Sequence, residues 1–213
     1  VPVVTALRAT RSGGVALHLD GEYAFTVSES LVARWRLFKD RELDDDAVDA
    51  LRAAASSERV MADAYRLLGH RARSRRELQA RLLEKGHDDA VVRGALDRLA
   101  DDGLLDDAAF ARSYVADKRG LSGWGTERIR RGLAALGVAD DIAAAEIGAA
   151  SPDHAPAELD RALDQLRRRG EPVAPFDVAR RRAYHALLRR GFSGSVAYTA
   201  VQRWSGAAPP GEN

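Results

Sequence analysis

The spacing of apolar residues changes character once along the chain. Over residues 3–27, the short runs VVTALRAT, VALHLDG and EYAFTV carry β-branched and aromatic side chains and read as strands. RSGG at 11–14 and Asp20-Gly21 are hairpin-turn signals between them. From Ser28 the period becomes helical, with a short helix near 29–36, a turn through Lys39–Leu43 and a helix start at the acidic run Asp44–Asp46. Beyond that point every segment reads as helix.

The helical part repeats. One copy runs Leu78, Leu82, Gly86, His87, Val91, Leu96; the next Ile129, Leu133, Gly137, Val138, Ile142, Ile147; the third Ala183, Leu187, Gly191, Phe192, Val196, Val201. Measured from the glycine, the offsets are the same in all three: −8, −4, +1, +5 and +10. Positions −8 and −4 share a helix face, the glycine ends that helix, and +1 with +5 has the spacing of a hydrophobic staple. Each copy has an earlier helix as well, near 60–70, 107–119 and 157–169. The expectation is a mainly α protein of three tandem three-helix repeats stacked into an elongated, curved body, behind a small N-terminal β-hairpin segment. The expected divisions are 1–43 for the β segment and short helix, 44–105, 106–150 and 151–205 for the repeats, and 206–213 for a disordered tail.

Composition adds limits. The 213 residues contain no cysteine, which removes disulfides, thiolate metal sites and cysteine nucleophiles. No apolar run reaches membrane-spanning length, and the opening VPVVTALRATRSGG lacks the order of a signal peptide, so a soluble, cytoplasmic protein is expected. A monomer is expected as well. The chain opens on valine, so a trimmed N-terminus is expected. Formal net charge is +1, and its distribution matters more than its sum: −3 over 1–58, +4 over 59–139 and 0 over 140–213.

Little of the sequence reads as catalytic. Paired acids at 44–46, 88–89, 101–102, 106–107 and 140–141 could ligate metal, but most stand where helices begin, where carboxylates cap the backbone. The five histidines lack zinc spacing, and phosphate-loop, dinucleotide-binding and nucleophile-elbow motifs are missing. No enzyme activity, metal or cofactor is expected. The glycine-rich loop GLSGWGTER, 120–128, either offers backbone N–H groups to an anion or simply joins two helices, and Trp124 in it either stacks on a partner or folds onto the core.

The basic stretch GHRARSRRELQARLLEKG, 69–86, holds the clearest interaction signal. Ser74-Arg75-Arg76-Glu77 is a capping box, and Glu77 with Arg81 has the spacing of a helix ion pair. Arg71, Arg73, Arg75 and Arg76 show no such local partner and crowd a helix start, where the macrodipole disfavours cations. Similar clusters recur at Arg128–Arg131, Arg180–Arg182 and Arg189-Arg190, so a basic stripe along the stacked repeats is expected. The candidate partner- or nucleic-acid-binding residues are Arg71, Arg73, Arg75 and Arg76; Lys118, Arg119 and Trp124; Arg128, Arg130 and Arg131; and Arg180 and Arg182. A helix-turn-helix transcriptional regulator is the alternative, but the third helices open on Asp88-Asp89, Asp140-Asp141 and Ser193, none of them basic.

The segments RSRRELQARLLEKGHDDAVVRGALDRL, DDGLLDDAAFARSYV and ERIRRGLAALGV together resemble the RecX family of bacterial recombination regulators, over about 60–147. The third repeat keeps only the L-x-x-x-G-F core of the pattern, and LDGEYAFTVSESLV is similar to an N-terminal region of many members. The resemblance implies a helical three-repeat protein without catalytic activity. It implies binding to the RecA recombinase and its filament on single-stranded DNA, with inhibition of ATP hydrolysis, co-protease activity and strand exchange in repair and the SOS response. DNA contact through the arginine patches is a further expectation. Gly123-Trp124-Gly125 departs from the basic or proline-containing stretch that many members have there.

Overall fold

The computed structural model describes residues 1–11, 13–149, 154–173 and 175–206, with 154–156 as backbone alone. The expected tail lies, past Gly206, outside the described residues. The chain forms two compact units, one of Val1–Ala72 with Leu78–Leu104, the other of Arg73–Glu77 with Leu105–Asn213. It is mainly helical, with one small antiparallel sheet.

In the first unit, β1 (Val4–Ala9), β2 (Val15–Leu19) and β3 (Glu22–Val27) pair in the order β1-β2-β3. The three strands are the three runs expected from the sequence. Asp20 and Gly21 both take positive φ, 51° and 92°, as a two-residue turn matched to strand twist requires. Leu7, Leu17 and Phe25 pair across the sheet. Leu17, Val4 and Val27 bury with Leu31 of α1 (Glu29–Arg34) and with Val48, Leu51 and Ala55 of α2 (Asp45–His70). The expected helix start near 44 and the expected helix at 60–70 are one helix of 26 residues, because no glycine or proline interrupts 45–68. The unit closes with Leu78–Glu84 of α3 (Arg75–Glu84) and with α4 (Asp89–Asp101).

The second unit adds to the first turn of α3 the helices α5 (Asp107–Gly120), α6 (Thr126–Ala135), α7 (Asp140–Ala149), α8 (His154–Arg167), α9 (Phe176–Arg189) and α10 (Gly194–Trp204). The repeating offsets bury. Leu78, Leu82, Ile129, Leu133, Ala183 and Leu187 are fully or almost fully covered, as are Leu96, Ile147 and Val201 at the +10 position. The acid pairs cap helices: Asp44 accepts from the Ala47 N–H, Asp88 from Ala90 and Val91, and Asp106 from Ala108 and Ala109. No group of three metal-ligating side chains occurs among the described residues, and no helix there is long and apolar enough to cross a membrane.

Candidate partner and nucleic-acid interface

The second unit contains the same helix-end contact twice. At the start of α3, the buried Ser74 hydroxyl accepts from the Glu77 N–H at 3.1 Å and donates to the Leu136 carbonyl at the end of α6. The Arg75 N–H donates to Asp107 Oδ1 at 2.7 Å, and the Arg76 stem lies against Gly137. At the start of α6, the Gly125 N–H donates to the Arg190 carbonyl at 2.8 Å and the Glu127 N–H to the Gly191 carbonyl at 3.0 Å. The Thr126 N–H donates to Glu158 Oε1 at 2.9 Å, and the first atoms of Arg128 lie against Gly191. The middle helices of the first two repeats, α3 and α6, each set their N–H end on the carbonyl end of the next one. A carboxylate from the following repeat caps it from the side, and orphan donors meet orphan acceptors.

This contact corrects several expectations. Arg71–Arg76 do not crowd an isolated positive helix end, because the negative end of α6 meets it at Leu136. Arg73 has a local partner: it ion-pairs with Glu77, both side chains almost covered at 11% and 13% exposure. Glu77 therefore does not serve Arg81, which pairs with Glu84 at 2.9 Å. The loop 120–128 is no anion nest, since the N–H groups of Trp124, Gly125, Thr126 and Glu127 are all taken by protein acceptors. Its glycines meet the third repeat instead. A Cβ at Gly123 would overlap Gln165, and one at Gly125 would overlap the backbone of Gly191 and Phe192.

The remaining candidates separate. Arg130 pairs with Glu127 at 3.0 Å and Arg180 with Asp177 at 2.8 Å. Arg71 donates to the Ala72 carbonyl at 2.9 Å. Arg119 points inward: its Nη2 donates to the Ile147 carbonyl at 3.0 Å and its Nε and Nη1 are buried. Burial pushes its guanidinium below the ordinary value; the Arg161 charge adds to that effect and Glu158 opposes it.

Four others come together. The Lys118 ammonium lies 4.9 Å from the centre of the Trp124 ring and 5.2 Å from that of Tyr114, and the Arg128 guanidinium lies 4.1 Å from the Trp124 ring. Trp124 also packs partly on the core of the second repeat, the second of its two expected roles. Beside it opens a cleft of about 570 Å³ lined by Tyr114, Trp124, Arg128, Arg131, Gly132 and Arg189. Arg131 spends one N–H on the Glu127 carbonyl, and Arg128 one on the Arg189 carbonyl. Among the described residues Lys118, Arg128, Arg131 and Arg189 form no ion pair, whereas arginines 34, 66, 81, 93, 130, 167 and 180 do. Burial raises the Tyr114 phenol above its ordinary value against the pull of Arg128.

Exposed Arg182 lines a second groove with Arg181, His185 and Arg189. Tyr114, Arg181, His185 and Arg189 are lining residues absent from the twelve candidates. Their sequence signals were present as F-A-R-S-Y within α5 and R-x-x-x-H-x-x-x-R within α9.

Comparison with known proteins places these modules. Residues 61–99 match the model of the first RecX three-helix domain, and 106–146 that of the second. Regulatory protein RecX of Mycobacterium sp. strain KMS is 38% identical over 151 residues, 68% of this chain and 80% of that protein. Regulatory protein RecX of Lactobacillus delbrueckii subsp. bulgaricus is 29% identical over 201 residues, 94% of this chain and 74% of that protein. A crystal structure of regulatory protein RecX superposes with a TM-score of 0.67 at 25% identity, covering 95% of this chain and all of the other. With both three-helix domains matched and a curated relative covered over four-fifths of its length, this chain belongs to the RecX family.

Proposed function

We propose that this protein is a non-enzymatic regulator that binds the RecA recombinase and its filament on single-stranded DNA, lowering RecA's ATPase, co-protease and strand-exchange activities. It does so as a cytoplasmic monomer. Membership of the RecX family is the observation that carries this reading. The uncompensated cations around Trp124 support it, because a polyanionic filament is the kind of surface that such a cleft fits. The helix-turn-helix alternative is not favoured: the third helices open on Asp88, Asp140 and Ser193, and Asp88 and Ser193 are spent as caps. The test is RecA's single-strand-dependent ATP hydrolysis in the presence of equimolar protein. A several-fold fall is expected; selection from random duplexes that returns one consensus, with the ATPase unchanged, would favour the alternative.

A further inference from the structure

Arg189 lines two grooves of the second unit. One is the cleft of Tyr114, Trp124, Arg128 and Arg131; the other, about 290 Å³, is walled by Arg181, Arg182, His185 and Arg189. Arg181, His185 and Arg189 follow one another at i, i+4 and i+8 on α9, a single ridge with steps of about 6 Å along the helix. Among the described residues no acid pairs with Arg181, Arg182 or Arg189.

The repeat explains what these arginines are not for. Counted back from the closing glycines, Arg76 stands at −10 and Arg128 at −9, and each covers the glycine of the next repeat. The same two positions before Gly191 are Arg181 and Arg182. Here α9 starts a turn earlier, at Phe176, and among the described residues no further glycine turn meets them. Cations that elsewhere cover a glycine are left facing solvent beside His185 and Arg189.

We propose that the two grooves form one track for the sugar–phosphate backbone of a single-stranded nucleic acid. Phosphates lie on the Arg181–His185–Arg189 ridge and on Arg131. A base stacks in the cleft against Tyr114 and the guanidinium of Arg128, which Trp124 holds from behind. An acidic protein surface would match the charge; a ring and a guanidinium plane in one cleft match the faces of a base as well, so nucleic acid is the ligand favoured. The proposal rests on the reading of this protein as a regulator of filaments on single-stranded DNA.

The test is RecA-free: fluorescence anisotropy of a labelled oligothymidylate with the full chain, across salt concentrations, with equal-length duplex and polyglutamate as competitors. The single strand is expected to bind best, with a log–log salt slope near −0.7 for each phosphate engaged. Arg189→Ala, which empties a place in both grooves, is expected to weaken binding about tenfold and to flatten the slope by about 0.7, the loss of one phosphate contact. Arg181→Ala is expected to weaken it less. Unchanged affinity and slope in Arg189→Ala would overturn the track, as would displacement by polyglutamate or duplex at equal charge. A chain that ignores oligothymidylate yet slows RecA's ATPase sinks this proposal and leaves the regulatory reading standing; one that binds through Arg189 but leaves the ATPase unchanged does the reverse.

Discussion

Ser74 is fully buried at the point where two helices meet end to end, and its one hydroxyl serves both. Ser74→Ala removes a helix cap and strands the Leu136 carbonyl. The expected cost is about 2 kcal/mol, read as a lower urea midpoint with an unchanged slope. Asp63 on α2 is the matching residue in the first unit. Its carboxylate takes His87 Nε2 at 2.8 Å, Lys85 at 3.2 Å and Arg66 at 2.5 Å. Burial alone pushes its pKa up, but hydrogen bonds from His87 and Lys85, with the charges of Lys85 and Arg66, outweigh this and hold it below the ordinary carboxylate value. The unfolded chain therefore binds the extra proton in acid. The stabilisation from Asp63 is complete above about pH 4 and is lost as pH falls through the folded value. Asp63→Asn is expected to lower stability at pH 7 and to flatten the acid limb of a stability–pH curve; an acid limb as steep as that of the parent would contradict it. His87 was legible as a packed rather than catalytic histidine from its place one residue after Gly86. Its partner was not, because Asp63 lies 24 residues away on another helix.

Between elements, the ends of the middle helices carry the junctions. Gly125 isolates this effect, since its φ of −79° suits any residue and only the close approach of the Gly191 and Phe192 backbone excludes a side chain. Gly86 is the converse: its φ is +83°, yet nothing lies near an added Cβ. Gly125→Ala is therefore expected to cost about 3 kcal/mol by overpacking, and Gly86→Ala about 1 kcal/mol from backbone conformation alone. Denaturant titrations showing the reverse order would contradict the junction. The terminating glycines and the caps Asp44, Asp88 and Asp106 could be read from local spacing, because the physics that places them acts within a few residues. The junction could not. Local spacing shows arginines only against the dipole of α3, and the α6 carbonyl that meets that helix end stands 62 residues from Ser74. The same separation explains the departure at Gly123-Trp124-Gly125, where two glycines answer to Gln165 and Gly191.

At the scale of the molecule, a chain with formal net charge +1 gathers in one cleft cations that no acid among the described residues pairs with. The sequence showed where arginines cluster, but the fold decides which are spent: Arg73, Arg130 and Arg180 pair with acids, Arg119 turns inward, and Lys118, Arg128 and Arg131 remain with Arg189 beside two aromatic rings. A triple Arg128→Ala, Arg131→Ala, Arg189→Ala variant is expected to abolish action on RecA while keeping far-UV circular dichroism. An Arg71→Ala variant, at an exposed position outside the cleft, is expected to lose much less. Equal loss in the two would show that the cleft has no special role. The most direct measurement is the rate of ATP hydrolysis by RecA on circular single-stranded DNA, with and without equimolar protein at physiological salt. Regulation of the filament gives a several-fold fall that added salt relieves; an unchanged rate over preformed and newly assembling filaments alike would contradict it.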